Sequence, residues 1–301
     1  MKFNLRTAVR MFAALSTLFI ASSVASAQTQ EKVELWPGLA PGETVREPNV
    51  EDPNYPESPA QKVTTPFLLI QRPEKQTSDV CVIIIPGGGF NVCFYKNEGI
   101  PSKYWNERGY VTATLVYRVP RPTSGAIYGP ALQDAQRAIR YLRANAEKYG
   151  ISPDKIGAEG YSAGGCLTLL AAVNSETQTY EPIDELDKLP CNLAFAIPVY
   201  PAYVLDDGAT DPNVNKGEGA SMLPDFHFDA HTPPMCLLHG DADIYSPLAS
   251  IEIYKKLRHM GISCELHVFA GAPHGFMFWD DLPNAQSWQD RRYARFQKMG
   301  F

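Results

Sequence analysis

Ser162 stands at the centre of Gly160-Tyr161-Ser162-Ala163-Gly164, between the short apolar run Lys155 to Ala158 and the small-residue stretch Cys166 to Val173. A serine lifted out of the backbone by a sharp strand-to-helix turn can act as a nucleophile, and small residues at both ends let the turn close. The five-residue pattern by itself is common in ordinary loops; the flanking strand and helix are the context it requires. A serine hydroxyl needs a base that titrates near neutrality, which histidine supplies, and a carboxylate that holds the imidazole in one tautomer. His274, in Gly271-Ala272-Pro273-His274-Gly275-Phe276, follows the strand-like run Cys264 to Phe269 and is the expected base. Its rivals are placed otherwise: His239 ends a strand, His267 lies within one, and His259 closes a helix, where it complements the dipole. The acid comes from His239-Gly240-Asp241-Ala242-Asp243, which offers both Asp241 and Asp243.

An acyl-transfer reaction also needs donors for the developing oxyanion, and backbone amides are the usual supply. Ala163, directly after the serine, is one candidate. Gly88 and Gly89 are the others, in the loop Pro86-Gly87-Gly88-Gly89-Phe90 that ends the β-branched run Val80 to Ile85. Glycine loops also cradle phosphates, but no Gly-Lys-Ser/Thr ending and no Gly-x-Gly-x-x-Gly pattern stands at this one, so nucleotide binding is not expected. A serine, a histidine and a carboxylate need no cofactor, and acidic runs such as Asp206-Asp207 read as solvated surface rather than a metal site. Phe90, Tyr161, Phe276 and Trp279 suit either a sugar or aryl platform or the core. Tyr117 and Arg118 either touch substrate or anchor a loop.

These loops need a frame. Lys62 to Gln71, Val80 to Ile85, Val111 to Tyr117, Lys155 to Ala158, Leu193 to Val199, Met235 to Leu238 and Cys264 to Phe269 read as strands. Pro130 opens a helix with Leu132, Ala135, Ile139 and Leu142 on one face, Arg137, Arg140, Arg143 and Lys148 mostly off it, and Gly150 at its end. A further helix spans about Pro247 to His259 and stops at Gly261. Strands alternating with helices imply βαβ units, hence an α/β domain with a mostly parallel central sheet and helices on both faces. Catalytic loops then gather at the carboxyl ends of the strands. The segment between Tyr200 and Pro233 has no clear period and reads as a lid or binding loop, or else as a segment without a role.

At the N-terminus, Lys2, Arg6 and Arg10 precede the apolar run Met11 to Ile20, and Ala25-Ser26-Ala27 supplies a small-residue cleavage site. Residues 1–27 are therefore expected to be a signal peptide, too short in its apolar part for a stable membrane span. Residues 28–60, rich in proline and acid, are expected to be irregular chain draped on a catalytic domain of residues 61–301. The whole chain has a formal charge of -6, and the basic leader makes the remainder more acidic still. Such a chain is not expected to bind nucleic acid or an anionic membrane by bulk electrostatics. Cys81, Cys93, Cys166, Cys191, Cys236 and Cys264 lack any Cys-x-x-Cys pair, so thiolate metal binding is not expected; an exported chain permits disulfides, but no connectivity follows. Cys81, Cys236 and Cys264, in or beside strand-like runs, read as small buried hydrophobes.

The pattern resembles the α/β-hydrolase superfamily, and more narrowly exported bacterial carbohydrate esterases of the feruloyl and acetylxylan esterase (BD-FAE-like) group. The resemblance rests on Trp36 to Gly42, Pro86 to Phe90, Tyr128 to Ala135, Gly157 to Gly165, Pro233-Pro234 with His239 to Asp243, and His274-Gly275-Phe276. The order Ser162, acid, His274 is that of the superfamily. In the group, the acid lies four residues after the histidine of the His-Gly segment, which selects Asp243 over Asp241. Pro86 departs from the histidine that many esterases of the superfamily carry before the glycines. The resemblance implies a serine esterase that removes acyl groups, acetyl above all, from plant hemicellulose or its oligosaccharides. Xylanase activity does not fit, because glycosidic cleavage uses two opposed carboxylates. An exopeptidase of the prolyl oligopeptidase type shares the elbow and acid loop, and a silent carbohydrate-binding protein on the same scaffold is the alternative of another class.

Overall fold

The computed structural model describes residues 29–51, 58–96, 99–206, 221–278, 282 and 287–301. The expected leader and Trp279 lie outside them. Eight strands form one sheet: β1 (Thr29–Glu34), β2 (Phe67–Arg72), β3 (Cys81–Ile85), β4 (Val111–Val116), β5 (Ile156–Tyr161), β6 (Ala196–Val199), β7 (Met235–Gly240) and β8 (Cys264–Phe269), in the order β1-β2-β4-β3-β5-β6-β7-β8. From β4 through β8 every neighbouring pair is parallel, while β2 pairs antiparallel with both β1 and β4. The helices are α1 (Gly99–Asn106), α2 (Gly129–Ala144), the short α3 (Ala146–Tyr149), α4 (Ala163–Val173), α5 (Leu248–His259) and α6 (Trp288–Lys298).

The central strands are apolar on both faces because both are covered. Along β3, Cys81, Ile83 and Ile85 join a cluster with α2, α4 and α5, while Val82 and Ile84 join a second cluster holding Trp105 of α1 and Trp288 and Phe296 of α6. A strand read as a continuous β-branched run is what such two-sided burial selects. This places the ends of β3, β5, β7 and β8 on one edge of the sheet, where the loops bearing chemistry emerge.

Several expectations are corrected. The stretch 28–60 is not wholly irregular: Thr29–Glu34 is an edge strand paired along its length with β2. The pairing fixes it despite a sequence, Thr-Gln-Glu-Lys-Val-Glu, with little apolar pattern, because an edge strand needs only one partner and one half-covered face. The helix opened by Pro130 ends at Ala144 rather than Gly150, with Asn145 at its C-cap; Gly150 closes α3 instead, in the left-handed conformation. Arg137 is not off the packed face. It is 2 % exposed, held by Asp184 and Asp187 at 2.6 and 2.9 Å while its Nε donates to the Leu35 carbonyl. No disulfide joins any of the six cysteines, and Cys264 is half-buried rather than buried.

The motifs at the start of the chain and before α2 converge on one buried carboxylate. Asp134 accepts from Trp36 Nε1 at 2.8 Å, from the Arg118 amide and from Arg118 Nε, while Arg118 Nη1 also donates to the Pro41 carbonyl. Arg118 is therefore an anchor that ties the N-terminal segment to α2, not a substrate contact. A buried pair satisfied this fully costs about 3–5 kcal/mol when one partner is removed.

Candidate active site

β5, buried along its whole length, delivers the chain to Ser162, and α4 carries it away. At the turn Ser162 adopts φ 58 and ψ −119, a conformation that a non-glycine residue holds only when its surroundings over-determine it. Three bonds do so. The Ser162 amide donates to the Val199 carbonyl at 3.1 Å, and the Ser162 carbonyl accepts from Cys166 and from Ala202. The small residue after the turn is a packing requirement. A Cβ on Gly164 would stand 2.1 Å from the Ile85 carbonyl oxygen, so α4 could not approach the end of β3 with any side chain there.

The three residues singled out from sequence meet. Ser162 Oγ lies 2.8 Å from His274 Nε2, and His274 Nδ1 lies 2.9 and 2.8 Å from the two carboxylate oxygens of Asp243. The carboxylate can only accept, so Nδ1 carries the proton and Nε2 is free to take one from Ser162. Asp243 is fully buried at its side chain and His274 is 24 % exposed, an order from interior to solvent that leaves only the nucleophile and base within reach of a ligand. Burial resists ionisation of Asp243. Hydrogen bonds and attraction from His239 and His274 outweigh it, so the carboxyl is held below its ordinary range. Asp241, the alternative acid, is exposed and accepts from the Gly271 amide, bracing the loop before His274.

The glycine loop after β3 lies against the elbow: a Cβ on Gly87 would be 3.1 Å from the Tyr161 carbonyl oxygen and 3.3 Å from Ser162 Cβ. Gly88 has φ +133, and a Cβ there would stand 2.0 Å from the Val92 carbonyl oxygen. Its own carbonyl turns inward to accept from Asn91 and Val92, and Gly88 and Gly89 are each partly exposed. Ala163 begins α4, where a helix's first amides have no intrahelical acceptor. The loop and the helix start thus stand at Ser162 as sources of N–H donors for an anion. Pro86 supplies a carbonyl that the Tyr117 hydroxyl binds at 2.9 Å, so Tyr117 fixes the loop from beneath.

The expected aromatic platform is corrected. Phe90, Tyr161 and Phe276 are each 1 % exposed, leaving no face for a ligand. Phe90 packs on Tyr117, Tyr161 donates to the buried Glu159, and Phe276 packs on Tyr200 and Phe269. The half-buried aromatic groups at the site are instead Tyr203 and Tyr245, with the buried Tyr200 packed against His274. The rings of Tyr200 and Tyr245 lie 4.9 and 4.8 Å from the His274 ring, and Tyr203 and Tyr245 bring their hydroxyls to 3.4 Å. Position directly after β6 and after the acid loop was the only sequence signal for them. His239, at the end of β7, is buried beneath Asp243, with Nε2 3.5 Å from Oδ2.

A cavity of about 950 Å³ lies elsewhere, across the β1 and β2 edge between Lys32, Arg46, Phe67 and Tyr95, and shares no lining residue with the triad. Of its charges, Arg46 pairs with Glu34 and Lys96 with Glu51, while Lys32 lies over the Phe67 ring.

Residues 68–198 match the BD-FAE family model. The acetylxylan esterase of Xylanibacter ruminicola is 26% identical over 207 residues, which are 65% of this chain and 41% of that protein. The chain thus spans less than half of that relative's length. Among solved structures, an acetyl ester-xyloside bifunctional hydrolase from Caldicellulosiruptor lactoaceticus superposes with a TM-score of 0.67 at 23% identity, covering 90% of this chain and 97% of that one. Thermogutta terrifontis esterase 2, in a form phosphorylated by paraoxon, gives 0.62 at 25% identity, covering 79% and 90%.

Proposed function

We propose, from the premise that the chain has the α/β-hydrolase fold and that its residues 68–198 match the BD-FAE model, that it is a serine carboxylesterase. The observation that carries this reading is the continuous hydrogen-bonded line from Ser162 through His274 to Asp243. Ser162 Oγ attacks the ester carbonyl as His274 Nε2 takes its proton, and the amides of Ala163, Gly88 and Gly89 receive the oxyanion. The imidazolium, stabilised by Asp243, then protonates the departing alkoxide. Water, deprotonated by the same nitrogen, releases the acid from the acyl-enzyme.

The substrate class proposed is acetylated plant hemicellulose or its oligosaccharides, supported by the names of an acetylxylan esterase and an acetyl ester-xyloside hydrolase among similar proteins. Ester rather than glycosidic cleavage is favoured by the site's carboxylates: Asp243 is committed to His274 and Asp241 to a backbone amide, whereas a glycosidase sets two across the scissile bond. Export is proposed on the basic, apolar and small-residue parts of residues 1–27. Among the described residues no helix is long and apolar enough to cross a membrane.

Acetate release from acetylated xylo-oligosaccharides, measured beside ferulate release from feruloylated ones, tests the reading. Acetate release that is lost in Ser162→Ala is expected. Equal release by the folded variant would refute the mechanism, and faster cleavage of dipeptide anilides than of aryl acetates would indicate a peptidase.

A further inference from the structure

The loop Tyr200-Pro201-Ala202-Tyr203 follows β6 and contains two of the non-glycine residues with positive φ, Tyr200 at 37° and Tyr203 at 56°. Bulky side chains in this region mark strain that the surroundings must hold. The holding contacts reach the site itself, since the Tyr200 amide donates to the Leu238 carbonyl at 2.7 Å and the Ala202 amide to the Ser162 carbonyl at 3.2 Å. Strain anchored on the nucleophile's own backbone fixes where the two tyrosine rings stand.

Tyr203 points back across the site. Its ring lies 5.9 Å from Phe90 and 5.4 Å from Tyr245, and its hydroxyl would be 3.3 Å from a Cβ on Gly89. Tyr245 completes the span, with its ring against His274 and its hydroxyl on that of Tyr203. Pro201, Leu205, Ser246 and Ala249 line, together with the two tyrosines, a recess with room for about one water molecule. The backbone conformation at Tyr203 and the contact between the two hydroxyls hold the pair in place.

We infer that Tyr203 and Tyr245, joined by their hydroxyls, form a fixed wall that limits the acyl group of the ester to a short one. The geometry at the tetrahedral carbon gives the reason. Its oxyanion faces Gly88, Gly89 and Ala163, and its leaving oxygen must lie within reach of His274 Nε2 to be protonated. The direction left for the acyl group runs between those two flanks, and the wall spans from one to the other. Acetyl ends short of it; each added methylene meets a ring held in place by its neighbour. This inference rests on the esterase reading and adds to it a cause for small-acyl preference.

The test compares kcat/KM for p-nitrophenyl acetate, butyrate and octanoate in the wild type, Tyr203→Gly and Tyr245→Ala. Glycine accepts φ 56° without penalty, so Tyr203→Gly removes the ring without adding strain, and Tyr245→Ala probes the wall from a separate loop if the first variant fails to fold. The butyrate-to-acetate ratio is expected to rise by about 10- to 200-fold in each variant, the range one or two accommodated methylenes produce. An unchanged ratio would overturn the inference. So would a gain confined to longer alcohols in a parallel series of acetate esters, because the wall would then stand on the leaving-group side. Failure of the esterase reading has a different signature, namely no Ser162-dependent hydrolysis of any ester by the wild type.

Discussion

Asp243→Asn should disable the protein while leaving its fold intact, for a reason set by one backbone amide. The Tyr245 amide donates to Asp243 Oδ1 at 2.7 Å. In the variant this donor can be satisfied only by the amide oxygen, which turns the new NH₂ group toward His274. Nδ1 must then accept, its proton moves to Nε2, and Nε2 can no longer take the proton of Ser162. The imidazolium also loses its counter-charge. Where a triad carboxylate is replaced in this way the rate falls by about 10⁴, or about 5 kcal/mol of transition-state stabilisation. Steady-state hydrolysis of an aryl acetate, with near-ultraviolet circular dichroism as the check on packing, reads the effect. Asp241→Asn is the companion, since Asp241 only braces the Gly271 amide, and should cost less than about tenfold. A folded Asp243→Asn variant within tenfold of wild type, or a larger loss in Asp241→Asn, would refute the assignment of the acid.

His239 should act on the rate through Asp243. Its Nε2 donates to the Tyr245 carbonyl at 2.9 Å and its Nδ1 accepts from Ser250 Oγ at 2.8 Å, so it holds the acid loop to α5. In His239→Leu both groups are orphaned, at about 1–3 kcal/mol each, and kcat should fall more than KM rises; His239→Gln, which keeps a donor near the Nε2 position, should recover more of kcat than His239→Asn. Equal kcat in all three would show that the histidine only fills space. Asp187 should give a pH-dependent stability. Burial raises its carboxyl's affinity for a proton, but Tyr180, the Ile183 amide and Arg137 outweigh this and hold it below its ordinary 3.8. A depressed folded-state value means stabilisation that is present above about pH 4 and fades as pH falls through the folded value. The Tm gap between wild type and Asp187→Asn should therefore be widest near neutrality and close in acid; a gap independent of pH would contradict it.

Motif and order made Ser162 and His274 legible, because a strand, a tight turn and a small-residue helix leave their own local marks. The acid was narrowed to two residues by position and to Asp243 by resemblance; the burial that separates it from the exposed Asp241 is a tertiary fact. Aromatic identity misled at Phe90, Tyr161 and Phe276, because an aromatic beside a catalytic loop is as useful under it as in it. Arg137 and Glu159 show the same limit for charge. Glu159 lies in the fully buried β5, bound by Trp105 and Arg292, and both of these partners are distant in sequence, so nothing local announces that its charge is matched in the core. β1 escaped notice because an edge strand takes its order from its neighbour rather than from its own pattern. Tyr203 and Tyr245 escaped it because the wall exists only once two loops are brought face to face.

The central claim, that Ser162 is an activated nucleophile backed by His274 and Asp243, is tested most directly by active-site titration with paraoxon. Intact-mass and peptide analysis are expected to show one diethylphosphoryl group per chain, on Ser162, with acetate release lost in step with labelling and labelling abolished in Ser162→Ala and slowed in His274→Ala. Full acetate release by a protein that stays unlabelled, or labelling on another residue with activity lost, would contradict the account.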